Sequence, residues 1–294
     1  MRIVNTFISD VEDIPPYTEI CLRQARLYNP EVEIDFISRN PAKYFNELKI
    51  NWINQSDVKS ELLSEFNDLS WFGSHKTESD DTTYHCPSGF WQKTAERIFC
   101  VQAHIKRMNL SNVFHFENDV LLYGSLQEVE TTEHLTVTPM RHNQTTFAFT
   151  HIPNAEKMDL LCRFMNWLLS SYGQQQLQGI MGDHISEMSL LNLAIRERVI
   201  SGFPTLPLTK EAGPTDGGPY YSGTLVFDPG SYGQFLGGTN NGHSSGFTDP
   251  QHFIGEAINN GQLDIVFDGT PSVNGVKIFN LHIHSKNLKE FVNV

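Results

Sequence analysis

The opening forty residues constrain the fold more than any other stretch. Residues 2–9 read as a strand, 17–28 as a helix, Asn29-Pro30 as its stop and 32–38 as a second strand. Connections this short between strand, helix and strand build a parallel crossover unit. The chain is therefore expected to be α/β: one Rossmann-like domain over residues 1–294, with a mostly parallel central sheet flanked by helices. Neither an internal repeat nor a Pro/Ser-rich linker interrupts it.

Composition bounds the function. With 39% hydrophobic and 11% aromatic residues, the chain can bury a core, which excludes disorder for its bulk. The 21 Lys+Arg against 34 Asp+Glu leave a net charge of −13, a poor balance for a nucleic-acid groove binder. Phosphate binding stays open where a divalent cation brings the positive charge. No stretch approaches the ~18 apolar residues of a spanning helix. Met1 leads straight into a strand pattern rather than a secretion signal. Cys21, Cys86, Cys100 and Cys162 are scattered without metal spacing and read as reduced thiols. A cytoplasmic location is expected.

Residues 40–88 are polar and irregular, and read as a loop-rich insertion with short helices near 41–48 and 57–69. A strong helix is predicted over 88–108, with apolar positions 91, 95, 98, 101, 105 and 108 in one stripe. A short strand, 113–116, then ends at Glu117-Asn118-Asp119. Later come a strand at 146–152, helices at 156–172 and 183–198, and short strands at 224–227 and 263–267 that end in Asp228 and Asp268. A last strand is expected at 276–284. Ten of the 21 glycines fall within residues 213–246, beside Tyr220, Tyr221 and Tyr232. Aromatic faces and adaptable backbone suit a carbohydrate cleft, and a surface loop is the plainer reading.

Four constellations could carry chemistry. Glu117 and Asp119, at i and i+2 after a strand, can share a hard cation, although an acidic turn often does no more than end a strand. His282 and His284 point to one face at a strand's period of two, and imidazole suits a transition metal; the alternative is a solvated or core-satisfied pair. Lys286 follows closely enough to meet a phosphate as a point charge. Lys93 and Arg97, one helical turn apart, form either a basic shelf toward Asp119 or a solvated face. Asp183 and Glu187, also one turn apart, supply either a general base for an acceptor hydroxyl or an N-cap with its first-turn acid.

The run from Phe90 to Phe99, the run Asn109-Leu-Ser-Asn-Val-Phe-His-Phe-Glu-Asn-Asp-Val-Leu-Leu-Tyr and the ending Leu281-His-Ile-His-Ser-Lys-Asn-Leu resemble the GT-A class of nucleotide-sugar glycosyltransferases. More loosely, the chain is similar to those that bacteria and large DNA viruses use to build surface glycans. The resemblance implies a D-x-D-type motif that holds Mn²⁺ or Mg²⁺ on the donor's diphosphate. Asp119 would then be the main ligand, with Glu117 on the metal or the ribose. A late His would complete the shell, His284 matching best and His282 second, and Lys286 would neutralise a phosphate oxygen. Thr6, Lys93, Arg97 and Asn118 join the expected nucleotide-contacting set. The donor would be a UDP- or GDP-sugar bound by residues 1–130, and the acceptor a glycan bound by 131–294.

A nucleotidyltransferase would want a Gly-rich basic loop after the first strand, where Ser9-Asp-Val-Glu-Asp stands instead. A lectin-like module, or a metal-dependent hydrolase using His282 and His284, are the other readings.

Overall fold

The computed structural model describes residues 1–8, 13–69, 90–141, 144–170, 186–205, 225–239, 244–252 and 254–293, with Gly173 and Leu177. The expected opening is present as β1 (Arg2–Phe7), α1 (Pro16–Tyr28) and β2 (Glu33–Ser38). Pro16 starts α1, where its missing N–H costs nothing, and Asn29 closes the helix by donating its backbone N–H to Ala25 O at 3.0 Å. β1 and β2 pair in parallel over their whole length, from Arg2 against Glu33 to Phe7 against Ser38.

A third parallel strand, β3 (Ile50–Asn54), extends this edge within the stretch read as loop. Its alternation is weak because both Asn51 and Trp52 are exposed, as on many edge strands. Residues 41–48 form turns rather than the expected short helix, while α2 (Glu61–Asp68) lies where a helix was expected and is capped by Ser60. Next come α3 (Phe90–Met108), β4 (Ser111–Phe116), β5 (Val120–Leu122), and a hairpin of β6 (Thr136–Arg141) and β7 (Gln144–Asn154). β6 carries Pro139 and a register shift, which hide it from pattern reading. The helices α4 (Ala155–Leu169) and α5 (Glu187–Arg196) and the short β8 (Ser201–Gly202) follow.

The main sheet has the order β3-β2-β1-β4-β7-β6-β8. Four of its six pairings are parallel, and β7 runs antiparallel to both neighbours. Ligands in such α/β sheets gather beyond the C-terminal ends of the parallel strands, where Glu117-Asn118-Asp119 stands after β4.

The remaining elements are β9 (Leu225–Val226), α6 (Ser231–Gly237), α7 (Gly255–Asn259), β10 (Ile265–Phe267), β11 (Pro271–Val273), β12 (Val276–Ile278) and β13 (Asn280–His282). The expected single strand at 276–284 is thus divided at Phe279. β12 pairs with β9 and β11 in a four-stranded sheet, whereas β13 crosses over to pair with β5.

Side chains alternate across the main sheet into two cores. Val4, Ile37 and Val113 meet α2, α3, α4 and α5 on one face. Ile3, Phe36 and Phe114 meet α1, β5 and the C-terminal elements on the other. There Phe227 stacks on Phe203 at 4.3 Å and on Phe149 at 5.3 Å between ring centroids, and Phe279 closes the group at 5.6 Å from Phe227. Aromatic pairs add about 0.5–1.5 kcal/mol each beyond the area they bury, so this cluster fixes β9 and β12 under the sheet. Phe227→Ala should cost about 3–5 kcal/mol in urea denaturation. A loss under about 1 kcal/mol would mean the cluster does not hold these strands.

Candidate functional site

The turn between β4 and β5 is pinned on every side. Glu117 donates its backbone N–H to Ala148 O at 2.9 Å, and Asn118 Nδ2 donates to Thr6 O at 3.0 Å. From α1, Cys21 Sγ donates to Val120 O at 3.0 Å and Gln24 Nε2 to Leu122 O at 3.1 Å. Those two carbonyls face away from β13, so the helix satisfies the edge of β5 that no strand among the described residues covers. The other edge takes β13: His282 stands opposite Val120, and Ile283 donates its N–H to Asp119 O at 3.0 Å.

This pairing brings Glu117, Asp119 and His282 together, with one ligand atom of each lying within 4.8 Å of the others. His282 Nε2 is 3.3 Å from Asp119 Oδ2 and 3.6 Å from Glu117 Oε2. Two carboxylate oxygens and one imidazole nitrogen fit a hard to borderline divalent cation such as Mn²⁺ or Mg²⁺. Lys286, in the turn after β13, forms an ion pair with Asp119. Asp119 is only 4% exposed. Burial works against its charge, but the His282 ring and the Lys286 ammonium more than offset it, and they hold the carboxyl well below the usual range. Conversely, burial opposes charge on His282 and Lys286, and Asp119 overrides it to raise both.

Helix α3 supplies the second side. Arg97 Nη2 lies 2.8 Å from Glu117 Oε1 and 3.8 Å from Glu187 Oε1, so it bridges the turn to α5. Thr94 Oγ1 donates to Glu187 Oε2 at 2.9 Å. Lys93, on the same helix, pairs with Glu96 at 3.0 Å, and it is Arg97 that reaches the turn. Glu187 occupies the first turn of α5, whose N-cap is Ser186 with its reciprocal partner Ser189. The cap is therefore Ser186 rather than Asp183, which lies outside the described residues. Thr6 is buried at the end of β1, and its hydroxyl has no partner among the described residues.

His284 takes a different place from the one expected. Gln234 Oε1 accepts from Thr248 Oγ1 at 3.2 Å and from the Asp249 N–H at 3.3 Å, which turns its amide NH₂ toward His284 Nδ1 at 2.7 Å. A neutral ring that accepts at Nδ1 carries its proton on Nε2 and offers that nitrogen no lone pair for a metal. Burial, aided by the neighbouring His282, holds His284 well below the ordinary imidazole range. His282 is thus the histidine of the carboxylate cluster, and His284 packs against it at 4.3 Å between ring centroids.

Asp228 and Gln234 organise this arrangement, and neither was expected to. Fully buried, Asp228 accepts four backbone N–H groups: Gly230 at 2.8 Å, Tyr232 at 2.9 Å, Gly233 at 2.8 Å and His282 at 2.9 Å. It therefore ties the first turn of α6 to β13. A side chain at Gly233 would collide with the His282 carbonyl, so only glycine allows this approach. The available signal was Asp228-Pro-Gly, a turn signature directly after a short strand.

No protein-family model matches the chain, and no curated protein matches it in sequence. Among solved structures it is similar to the PaToxG glycosyltransferase, 10% identical over 67% of this chain and 72% of that one, with a TM-score of 0.38. It is similar to mouse xyloside xylosyltransferase 1 in its apo form, 9% identical over 68% and 83%, at 0.41. A third is the galactosyltransferase LgtC in complex with donor and acceptor sugar analogues, 12% identical over 65% and 69%, at 0.37. A likeness this slight assigns neither a residue role nor a substrate.

Two outcomes test the site as described. Asp228→Asn turns an NH₂ group toward two of the four buried donors, and it should cost on the order of 2–4 kcal/mol in urea denaturation. A change under about 1 kcal/mol would show that these N–H groups find other partners. For Glu187, burial raises the carboxyl from an ordinary 4.5 to about 7. A raised folded value means that its contribution to stability is present below about pH 4.5 and lost as pH rises through 7. The loss is on the order of 3 kcal/mol. Glu187→Gln should flatten the fall in stability between pH 5 and 8. An unchanged slope would contradict the assignment.

Proposed function

We propose that this chain is a cytoplasmic, metal-dependent glycosyltransferase. It moves a sugar from a nucleoside-diphosphate donor, a UDP- or GDP-sugar, to a hydroxyl of a glycan acceptor. The observation that carries the reading is the meeting of Glu117, Asp119 and His282 beyond the C-terminal end of β4, with Arg97 and Lys286 against them. Carboxylates and cations interleaved in this way serve a charged ligand that brings its own metal.

The cation, Mn²⁺ or Mg²⁺, would be held by Asp119, Glu117 and His282, and when bound it supplies Lewis-acid stabilisation of the departing diphosphate. Arg97 and Lys286 supply positive charge for the phosphate oxygens as these gain negative charge. Thr6 and Asn118, at the ends of β1 and β4, would contact the nucleoside, with Lys93 of α3 as the third expected contact. Glu187, whose carboxyl titrates at about 7, serves as base and takes the proton of the acceptor hydroxyl. Asp183 is the second candidate for that role. Residues 1–130 then bind the donor and 131–294 the acceptor. Of the Gly/Tyr-rich segment 213–246, residues 213–224 and 240–243 lie outside the described residues. Tyr232 is buried in α6, its hydroxyl donating to Thr205 O, rather than free to stack on a sugar.

Engagement of His284 by Gln234 weighs against a hydrolase site that would chelate its metal through both histidines. A lectin-like module would leave Arg97 and Lys286 beside the carboxylates without a purpose. The test is release of nucleoside diphosphate from a panel of sugar nucleotides with Mn²⁺. Asp119→Ala should lower turnover by about 10²–10³-fold with the fold intact. Turnover should rise with pH through about 7, and that limb should vanish in Glu187→Gln. Near-normal turnover in Asp119→Ala would overturn the reading.

A further inference from the structure

Each carboxylate of the cluster already has a side-chain cation. Arg97 lies 2.8 Å from Glu117, and Lys286 pairs with Asp119. Lys286 Nζ and His282 Nε2 approach the same oxygen, Asp119 Oδ2. A metal ion held by that oxygen would compete with the Lys286 ammonium for it, and the two positive charges would repel each other. The side chain has room to withdraw. It is 35% exposed on a flexible stem, and its ammonium lies 5.7 Å from the centre of the Tyr17 ring.

The charges explain when that withdrawal is favourable. Glu117 and Asp119 contribute two negative charges, Arg97 and Lys286 two positive ones, and the four sum to zero. A bare divalent cation would bring the site to +2 and push Lys286 off a buried carboxylate with nothing to receive it. A bare diphosphate would draw Lys286 away and leave the buried Asp119 with His282 alone, at a desolvation cost. Arriving together, cation and diphosphate exchange partners with Asp119 and Lys286 and leave the total near neutral.

We propose that Lys286 is a tethered counter-ion of Asp119 that excludes the bare cation and moves to phosphate when the metal and the diphosphate enter. The site therefore selects the metal–diphosphate pair over either component. This inference rests on the metal-dependent reading above. Linkage makes the effect reciprocal: diphosphate strengthens metal binding by the factor by which metal strengthens diphosphate binding.

The experiment measures Mn²⁺ binding from the spectrum of the unbound ion in wild type, Lys286→Met and Lys286→Arg, with circular dichroism confirming the fold. Lys286→Met should bind Mn²⁺ alone at least tenfold more tightly than wild type, and Lys286→Arg should stay as weak as wild type. In wild type, which needs no substitution, affinity for UDP or GDP should rise at least tenfold on adding Mn²⁺. Equal affinity for Mn²⁺ alone in wild type and Lys286→Met would overturn the counter-ion role. If Asp119→Ala abolished that binding, the metal-site reading would survive. If no protein bound Mn²⁺ with or without either nucleotide, both would fall.

Discussion

The antiparallel pair of β5 and β13 is the contact on which the site depends. It joins segments far apart in sequence, with Lys286 standing 167 positions from Asp119, and no local pattern requires them to meet. Closing so long a loop has an entropic cost that the strands' own three-residue ladder cannot offset. The difference comes from both flanks. On one, Cys21 and Gln24 of α1 satisfy the outer carbonyls of β5. On the other, Asp228 gathers the N–H of His282 with those of Gly230, the N-cap of α6, and of Tyr232 and Gly233 in its first turn. Glu117, Asp119 and His282 form one site only because these supports converge.

Electrostatics then sets what the site can hold. In an acidic protein a phosphate ligand meets repulsion unless positive charge is concentrated locally, and Arg97 and Lys286 concentrate it at the half-buried Glu117 and the buried Asp119. Arg97 also reaches Glu187 at 3.8 Å, so one guanidinium couples the cluster to the carboxyl proposed as the base. Burial keeps Glu187 protonated to near neutrality, while Asp119 remains ionised beside its cations. Two carboxyls in one site are thus separated in their titration by their surroundings.

Much of this was legible in the sequence. The opening β1-α1-β2 unit, the long α3 and the acidic turn after β4 follow from periodicity and position, because each is a local pattern repeated over several residues. β3 escaped because an edge strand exposes Asn51 and Trp52, and β6 because Pro139 breaks its ladder. The division at Phe279 could not be read, since 276–284 alternates as one strand and only tertiary pairing divides it. His284 was preferred to His282 by analogy, whereas the choice between them rests on Gln234, fifty residues away, which fixes a tautomer. Asp228 carried a visible turn signature, yet nothing local shows that its carboxylate would also receive the N–H of His282.

The measurement that tests the account most directly is thermal unfolding of wild type and Asp119→Ala with UDP, GDP, CDP, ADP, TDP and CMP, each with and without Mn²⁺. A ligand that binds the native state raises the melting temperature by linkage. The account predicts a rise for one nucleoside diphosphate, dependent on Mn²⁺ and lost in Asp119→Ala. No rise with any nucleotide, or a rise that persists in Asp119→Ala, would contradict it.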